Sequence, residues 1–323
     1  MAVQPGQAAI ATEGLRKLYG SKVALHGLTL EVPRGEVFGF LGPNGAGKTT
    51  AVKVLTGLSR PTDGTGTLLG RPIGDREARR RLGFLPELFR FQEWLSANEV
   101  LTLHADLCRM PGIERERRIP KVLELVGLPD AANQRVGTFS KGMQQRLGLA
   151  QALLHQPELI ILDEPTSALD PLGRRDVRTV IQRLKQDGVT VFLNSHLLSE
   201  VELTCDRVAI VNHGRVVQNG RVEDLLAVEQ ELEVRAGGVT AETLLNLPPR
   251  WRVIEHAGDR LTLGVQAASD AAEVARFLVQ RGVDLLELKP RRSSLEDLFV
   301  ELVEKEDDGS VDLRPADAAR SVA

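Results

Sequence analysis

Aromatic side chains are scarce in this chain, cysteines scarcer, and long apolar runs are missing. Of 323 residues, 4% are aromatic and two are cysteines, Cys108 and Cys205. The two cysteines stand far apart and show no metal-like spacing. They fit a reducing cytosol, in which buried cysteines act as small hydrophobes. No stretch approaches about 18 consecutive apolar residues, so the chain is not expected to cross a membrane by itself, and any membrane role must come through a partner. The opening residues, MAVQPGQAAIATEG, lack a basic segment followed by a long apolar run, so no signal peptide is expected. Strong charge of one sign is also missing. A net charge of -3 argues against an electrostatic nucleic-acid binder, and no nucleic-acid partner is expected.

What is present is an ordinary globular composition, 42% hydrophobic and 26% charged, in a chain too long for a typical single domain. One large and one small domain are expected. Up to about Pro33 the pattern reads as short antiparallel strands, AIAT and LTLEV, around a loop with Gly20. The run EVFGFLG ends in glycine and leads into AGKTTAVKVLTGL, whose Val52, Leu55 and Leu58 recur at helical spacing until Gly57 and Pro61 close it. Residues 87–145 read as mostly helical. One helix begins at Ser96, with Glu99 at capping-box spacing, and another begins at Pro120. Three runs, ELIIL, VTVFLN and RVAIVN, read as fully buried parallel strands separated by helices, which implies a right-handed α/β core. After Val228 the order becomes β-α-β-β-α-β plus a helix, a small α+β domain. The final stretch, from residue 306, is small and polar and reads as disordered.

Chemistry concentrates in three places. GPNGAGKT, residues 42–49, has the glycine, four-residue gap and Gly-Lys-Thr of a phosphate loop, in the required strand-loop-helix context. Gly45 and Gly47 let backbone amides face phosphates, and the helix N-terminus adds positive potential. Lys48 is placed to reach β- and γ-phosphates, and Thr49 to ligate magnesium. The run ELIILDEP sets Asp163 and Glu164 at a strand's C-terminal end, where ligands sit in open parallel sheets. Asp163 is expected to hold magnesium and Glu164 to polarise the attacking water. His196, past another buried strand, falls beside the same sheet edge and is expected to bond the γ-phosphate.

These stretches, in this order, resemble the ATPase subunits of ABC transporters over residues 8–228. GPNGAGKTT looks like the family's Walker A loop, which implies ATP binding by Gly42, Pro43, Asn44, Gly45, Ala46, Gly47, Lys48, Thr49 and Thr50. LIILDEPTSALD looks like Walker B running into the D-loop at residues 167–170, and NSH like the switch histidine. FSKGMQQR looks like the family signature. Tyr19, in KLYGSKVAL, matches the aromatic that stacks on adenine; packing in a β-subdomain core is its other reading. The resemblance implies an α/β P-loop NTPase core with an antiparallel β-subdomain and a helical subdomain. It also implies that Ser140, Lys141, Gly142, Met143 and Gln144 serve the ATP of a second copy in a head-to-tail dimer. Ser140 can N-cap the helix while its amides face the partner's phosphate, and Gly142 permits close approach.

Two positions depart from the family. Lys141 occupies a signature position that usually holds glycine, either as a further donor near phosphate or as a side chain pointing to solvent. Glu87 stands at the expected glutamine of the Q-loop; its carboxylate can still ligate magnesium, and Gln92 lies too far along to replace it. Phe91, Trp94 and Leu95 lie where this family docks the coupling helix of its membrane partner, although burial would also suit them. Residues 229–305 are similar, less specifically, to the tail of ATPases that power multidrug and antibiotic exporters, whose membrane-spanning subunit is a separate polypeptide. The expectation is therefore an ATP- and magnesium-using exporter subunit, held peripherally at the cytoplasmic face of the membrane by a multispanning permease. The alternative is a soluble ABC ATPase of translation or DNA maintenance. Against it stand the single phosphate loop and the 112 residues, without sustained heptads, between Thr50 and Asp163. A GTPase switch would need an Asn/Thr-Lys-x-Asp motif, which the sequence lacks.

Overall fold

The computed structural model describes residues 8–167, 169–226, 230–265, 270–291 and 294–307. Ala168 of the expected D-loop, the expected domain junction at 228 and 229, and residues 308–323 of the expected tail lie outside the described residues. The chain divides into two compact units, one running through Arg221 and taking in residues from Leu302, the other Val222–Glu301.

The first unit opens with a hairpin, β1 (Ile10–Tyr19) and β2 (Lys22–Val32), followed by β3 (Val37–Leu41), α1 (Lys48–Leu55), β4 (Asp63–Leu68), β5 (Arg71–Pro72), α2 (Arg76–Arg80) and β6 (Leu82–Leu85). Next come α3 (Ala97–Leu107), α4 (Gly112–Leu125), α5 (Lys141–Leu153), β7 (Leu159–Asp163), α6 (Pro171–Gln186), β8 (Thr190–Asn194), α7 (Leu198–Thr204), β9 (Arg207–Asn212) and β10 (Arg215–Arg221). A four-stranded antiparallel sheet, β2-β1-β4-β5, carries the hairpin. The central sheet has the order β10-β9-β3-β8-β7-β6, parallel except for β10. Every residue of β3, β7 and β8 is buried, the mark of strands covered on both faces. Register matters most at the strand ends: Asp163 of β7 lies opposite Asn194 of β8, and Phe40 of β3 also pairs with Asn194.

The helices follow local rules, with one exception to the expected starts. Ser96 and Glu99 form the capping box at α3, and Asp170 caps α6 with Pro171 in its first turn. The helix expected to begin at Pro120 instead begins at Gly112 and carries Pro120 inside. An interior proline removes a backbone hydrogen bond, and burial of Ile119, Val122 and Leu123 along the same helix offsets that loss. Residues 87–95, expected within a mostly helical stretch, form an irregular loop. Sequence patterning also passed over β4, β5, β6 and β10. Cys205 is buried as expected of a small hydrophobe, but Cys108 is exposed.

The second unit comprises α8 (Val222–Leu226), β11 (Gln230–Gly237), α9 (Ala241–Leu245), β12 (Arg252–Ala257), β13 (Arg260–Val265), α10 (Ala271–Gln280) and β14 (Asp284–Arg291), and α11 (Leu295–Asp307) begins within it. Its antiparallel sheet has the order β12-β13-β11-β14. Alternate residues Leu232, Val234 and Ala236 of β11 and Leu261, Leu263 and Val265 of β13 share one core with Val274 and Leu278 of α10. That is the two-residue period of a sheet with one buried face. The polar tail expected from residue 306 begins inside α11, which continues to Asp307.

Phe192 anchors the central sheet, its ring 6.0 Å from Phe38 and 5.2 Å from Phe40. Replacing it by alanine should cost about 3–5 kcal/mol, read as a lower denaturant midpoint; a loss below about 1 kcal/mol would deny it that place.

Candidate functional site

The loop after β3 turns through two left-handed residues, Gly45 (φ 87°) and Gly47 (φ 96°), before α1 begins at Lys48. They differ in what surrounds them. A Cβ on Gly47 would lie 2.4 Å from the carbonyl oxygen of Ala24, whereas one on Gly45 would meet nothing within 4 Å. The loop is braced from the β9–β10 turn, where Gly214 N donates to Ala46 O at 2.9 Å. Lys48 curls back over its own loop, donating from Nζ to Gly42 O at 2.6 Å and Pro43 O at 3.2 Å. Asn44, Gly45 and Thr49 are exposed, Pro43, Gly47 and Thr50 half-buried, and Gly42, Ala46 and Lys48 buried.

At the same sheet edge, Asp163 is buried and accepts a hydrogen bond from Asn194 Nδ2. Burial pushes its carboxyl up, the Asn194 bond and Lys48 oppose the rise, and the neighbouring charges of Glu87 and Glu164 add to it. Lys48 is its counterpart: burial pulls its ammonium down, while Glu164, Asp163 and Glu87 pull it back up. One cation and three carboxylates therefore share one field, with an excess of negative charge suited to hard cations. Glu87, exposed on the loop after β6, belongs to that field.

Glu164 is strained. Its φ is 52°, a left-handed setting that costs a non-glycine residue about 1–2 kcal/mol. The setting is held by Glu164 N donating to Asn194 O at 2.9 Å and by Ser167 Oγ donating to Glu164 O at 3.2 Å. The Glu164 side chain is buried, and His196 Nδ1 lies 2.7 Å from its Oε2. His196 is half exposed. Asn194 was not foreseen as part of the site. The signal was available, since it is a polar residue closing a buried strand.

The other predicted residues lie elsewhere in the unit. Ser140 caps α5, its Oγ accepting from Met143 N at 3.2 Å, and Gln144 Nε2 donates to Phe139 O at 3.5 Å. Lys141 is exposed, which fits the solvent-facing reading. A Cβ on Gly142 would meet Leu169 Cδ2 at 3.5 Å and Ser140 Oγ at 3.9 Å, ordinary contacts from the loop after β7 and from the helix cap, neither of them part of the phosphate loop. Tyr19, the last residue of β1, is 48% exposed, with Lys17 Nζ 5.1 Å from its ring centre, so it is no core residue. Trp94 is exposed, whereas Phe91 and Leu95 are partly buried and Phe91 packs edge-on against Phe89.

Comparison with known proteins gives a consistent result. A family model described as ABC transporter matches residues 25–167, and one described as ATP-binding protein DrrA1-3-like, C-terminal domain, matches residues 224–303. The chain is 41% identical over 308 residues to an uncharacterised ABC transporter ATP-binding protein of Nostoc sp., covering 92% of this chain and 90% of that one. It is 35% identical to the bacitracin transport ATP-binding protein BcrA of Bacillus licheniformis, covering 91% and 97%. The linearmycin resistance ATP-binding protein LnrL of Bacillus subtilis is 32% identical, again over 91% and 97%. Among solved structures, an ATP-binding subunit of an ABC transporter superposes with a TM-score of 0.62 at 32% identity, covering 67% of this chain and 91% of that one. A dimeric ATP-binding cassette in a post-hydrolysis state with ADP and Pi superposes with a TM-score of 0.60 at 28% identity, covering 66% and 98%.

The two loop glycines separate conformational from steric demand. Gly45→Ala should cost only the left-handed backbone, about 1–2 kcal/mol. Gly47→Ala adds a backbone clash and should cost about 2–4 kcal/mol in chemical unfolding, with a larger loss of nucleotide affinity. Equal costs at the two positions would contradict this reading of the loop.

Proposed function

The chain belongs to the ATP-binding subunits of ABC transporters, and from that membership we propose that it drives an exporter whose membrane-spanning part is a separate, multispanning permease. The single observation that carries the reading is the convergence of Lys48, Asp163, Glu164 and His196 at one end of one sheet. The protein is an ATPase, and its residues suit the parts of that reaction in turn.

Residues 42–50 wrap the phosphates with backbone amides, and Lys48 exchanges its loop carbonyls for β- and γ-phosphate oxygens. Tyr19, half exposed beside Lys17, offers a face for adenine. Magnesium fits the donor set, because Thr49, Asp163 and Glu87 present only oxygen, and the burial and acidic neighbours that raise Asp163 are what a divalent cation would offset. When bound, it would neutralise charge on the transferring phosphate. Glu164 accepts a proton from the attacking water. His196 fixes that carboxylate through the 2.7 Å contact at Nδ1. A simultaneous bond from His196 to the γ-phosphate requires the doubly protonated ring, because phosphate oxygens only accept.

The signature completes the site of a second copy. Gly142 has no steric need of its own, since a Cβ there meets only ordinary contacts. Yet glycine is a poorer helix former than alanine, by up to about 1 kcal/mol in a helix interior and less in the first turn, where Gly142 stands. Close approach of the partner's nucleotide accounts for it. Two ATP molecules then join two copies, and hydrolysis loosens them. No helix among the described residues is long and apolar enough to cross a membrane. From its family membership, the subunit is placed at the cytoplasmic face through its permease, with Trp94, 71% exposed, as a contact for it. The bacitracin and linearmycin relatives favour export of antibiotic-like compounds.

Replacing Glu164 by glutamine should lower turnover by about 10²–10⁴-fold and let ATP accumulate a stable dimer in size-exclusion chromatography. Adding Gly142→Leu should return that variant to monomer without unfolding it. A Glu164→Gln protein that stays monomeric at saturating ATP and magnesium, or a double variant that still dimerises, would refute the shared-site mechanism.

A further inference from the structure

Apart from the carboxylates at the phosphate loop, one cluster of metal-capable side chains occurs among the described residues: His104, Cys108 and His155, whose donor atoms all lie within 4.8 Å of one another. Two elements build it. His104 lies in the last turn of α3 and Cys108 caps that helix, a spacing of four that puts both side chains on one face. His155 arrives from the turn beyond α5, far away in sequence.

Two details point to a ligand. The first is that His155 Nε2 lies 3.1 Å from Leu82 O, so it carries the proton and donates, while Nδ1 is buried without a hydrogen-bond partner. A ring fixed in one tautomer by a backbone carbonyl, with its other nitrogen left as a bare lone pair, is the usual arrangement of a metal-binding histidine. The second is that His104 Nε2 and Cys108 Sγ are 3.6 Å apart. Metal–sulfur and metal–nitrogen bonds of ordinary zinc length at a tetrahedral angle give a nitrogen–sulfur edge of about 3.6 Å.

We infer that His104, Cys108 and His155 bind a zinc ion through two imidazole nitrogens and one thiolate sulfur, leaving the fourth tetrahedral position to water. The donor set is borderline-soft, as zinc prefers. Both imidazoles would coordinate as neutral rings, His155 through the bare Nδ1. The Cys108 thiol releases one proton to solvent as the sulfur–zinc bond forms. The resulting thiolate offsets the nearby Arg118, whose guanidinium donates to the carbonyls of Leu153 and Leu154 at the end of α5. The ion would tie α3 to the end of α5, the helix that begins at the signature serine.

The test uses the full-length chain, stripped of metal by a chelator and without nucleotide. Titration with Co2+ should produce the thiolate-to-cobalt charge-transfer band at one ion per chain, and Zn2+ should displace it. Only two thiols exist, and Cys205 is fully buried with its thiol pushed far up, so the band reports Cys108. Cys108→Ser, at an exposed position, should abolish the band and weaken Zn2+ binding by at least about 100-fold. It should also cancel the rise in thermal midpoint that Zn2+ gives the unaltered protein. His155→Gln, which can still donate to Leu82 O, should weaken binding comparably, whereas Asp163→Asn should leave the band intact. The inference is overturned if no band forms, if the band survives Cys108→Ser, or if Zn2+ binds that variant as tightly as the original chain.

Discussion

The buried ammonium of Lys48 is the constraint around which the first unit is organised. A lysine out of water needs compensation, and here it comes from two loop carbonyls and from the charges of Asp163, Glu164 and Glu87. Those groups come from separate parts of the chain, and they meet only because β3 and β7 both border β8 in parallel register. A slip of one residue between β7 and β8 would turn Asp163 away and remove the Asn194 bond with it. The completely buried strands do more than fill a core. They fix the register that sets the charges.

The balance is deliberately imperfect. Asp163 is driven up by burial and by its acidic neighbours, and Lys48 is driven down by burial. For both groups the charged form is disfavoured in the fold, and each would be relieved by a ligand that brings phosphate to one and a cation to the other. Glu164 adds backbone strain at φ 52°, over-determined by Asn194 and Ser167. Left-handed backbone also occurs at Leu69, Arg109, Gln156 and His213; what sets this place apart is that strain and desolvated charge coincide in it.

Much of this was legible in the sequence alone. Motif spacing placed Lys48 at a helix start and Asp163 and Glu164 at a strand end, and the β-α-β-β-α-β order of the second unit follows from short strand-like and helical runs. What stayed hidden has physical reasons. β6 is four residues long and β10 half-exposed, so neither carries a strong periodic signal. Pro120 reads as a helix start because propensity disfavours interior proline, yet tertiary burial overrides propensity. Asn194 acquires its meaning only from the strand beside it. The His104–Cys108–His155 cluster was invisible to a search for cysteine pairs, because its third member is supplied by packing of α3 against the end of α5.

Glycine separates what the chain needs for itself from what it offers to others. Gly47 is required internally: its backbone is left-handed, and the Ala24 carbonyl occupies the space a side chain would take. Gly148, in the middle of α5, is likewise explained from within, since a Cβ there would press on Leu85 and Phe89 at 2.8 Å. Gly142, one turn and a half earlier on the same helix, has neither excuse. Its backbone is ordinary, and its nearest neighbours stand at van der Waals distance. A residue that weakens its helix without serving its own fold is best explained by a surface that comes from outside, and the proposed head-to-tail partner brings a phosphate to that helix start.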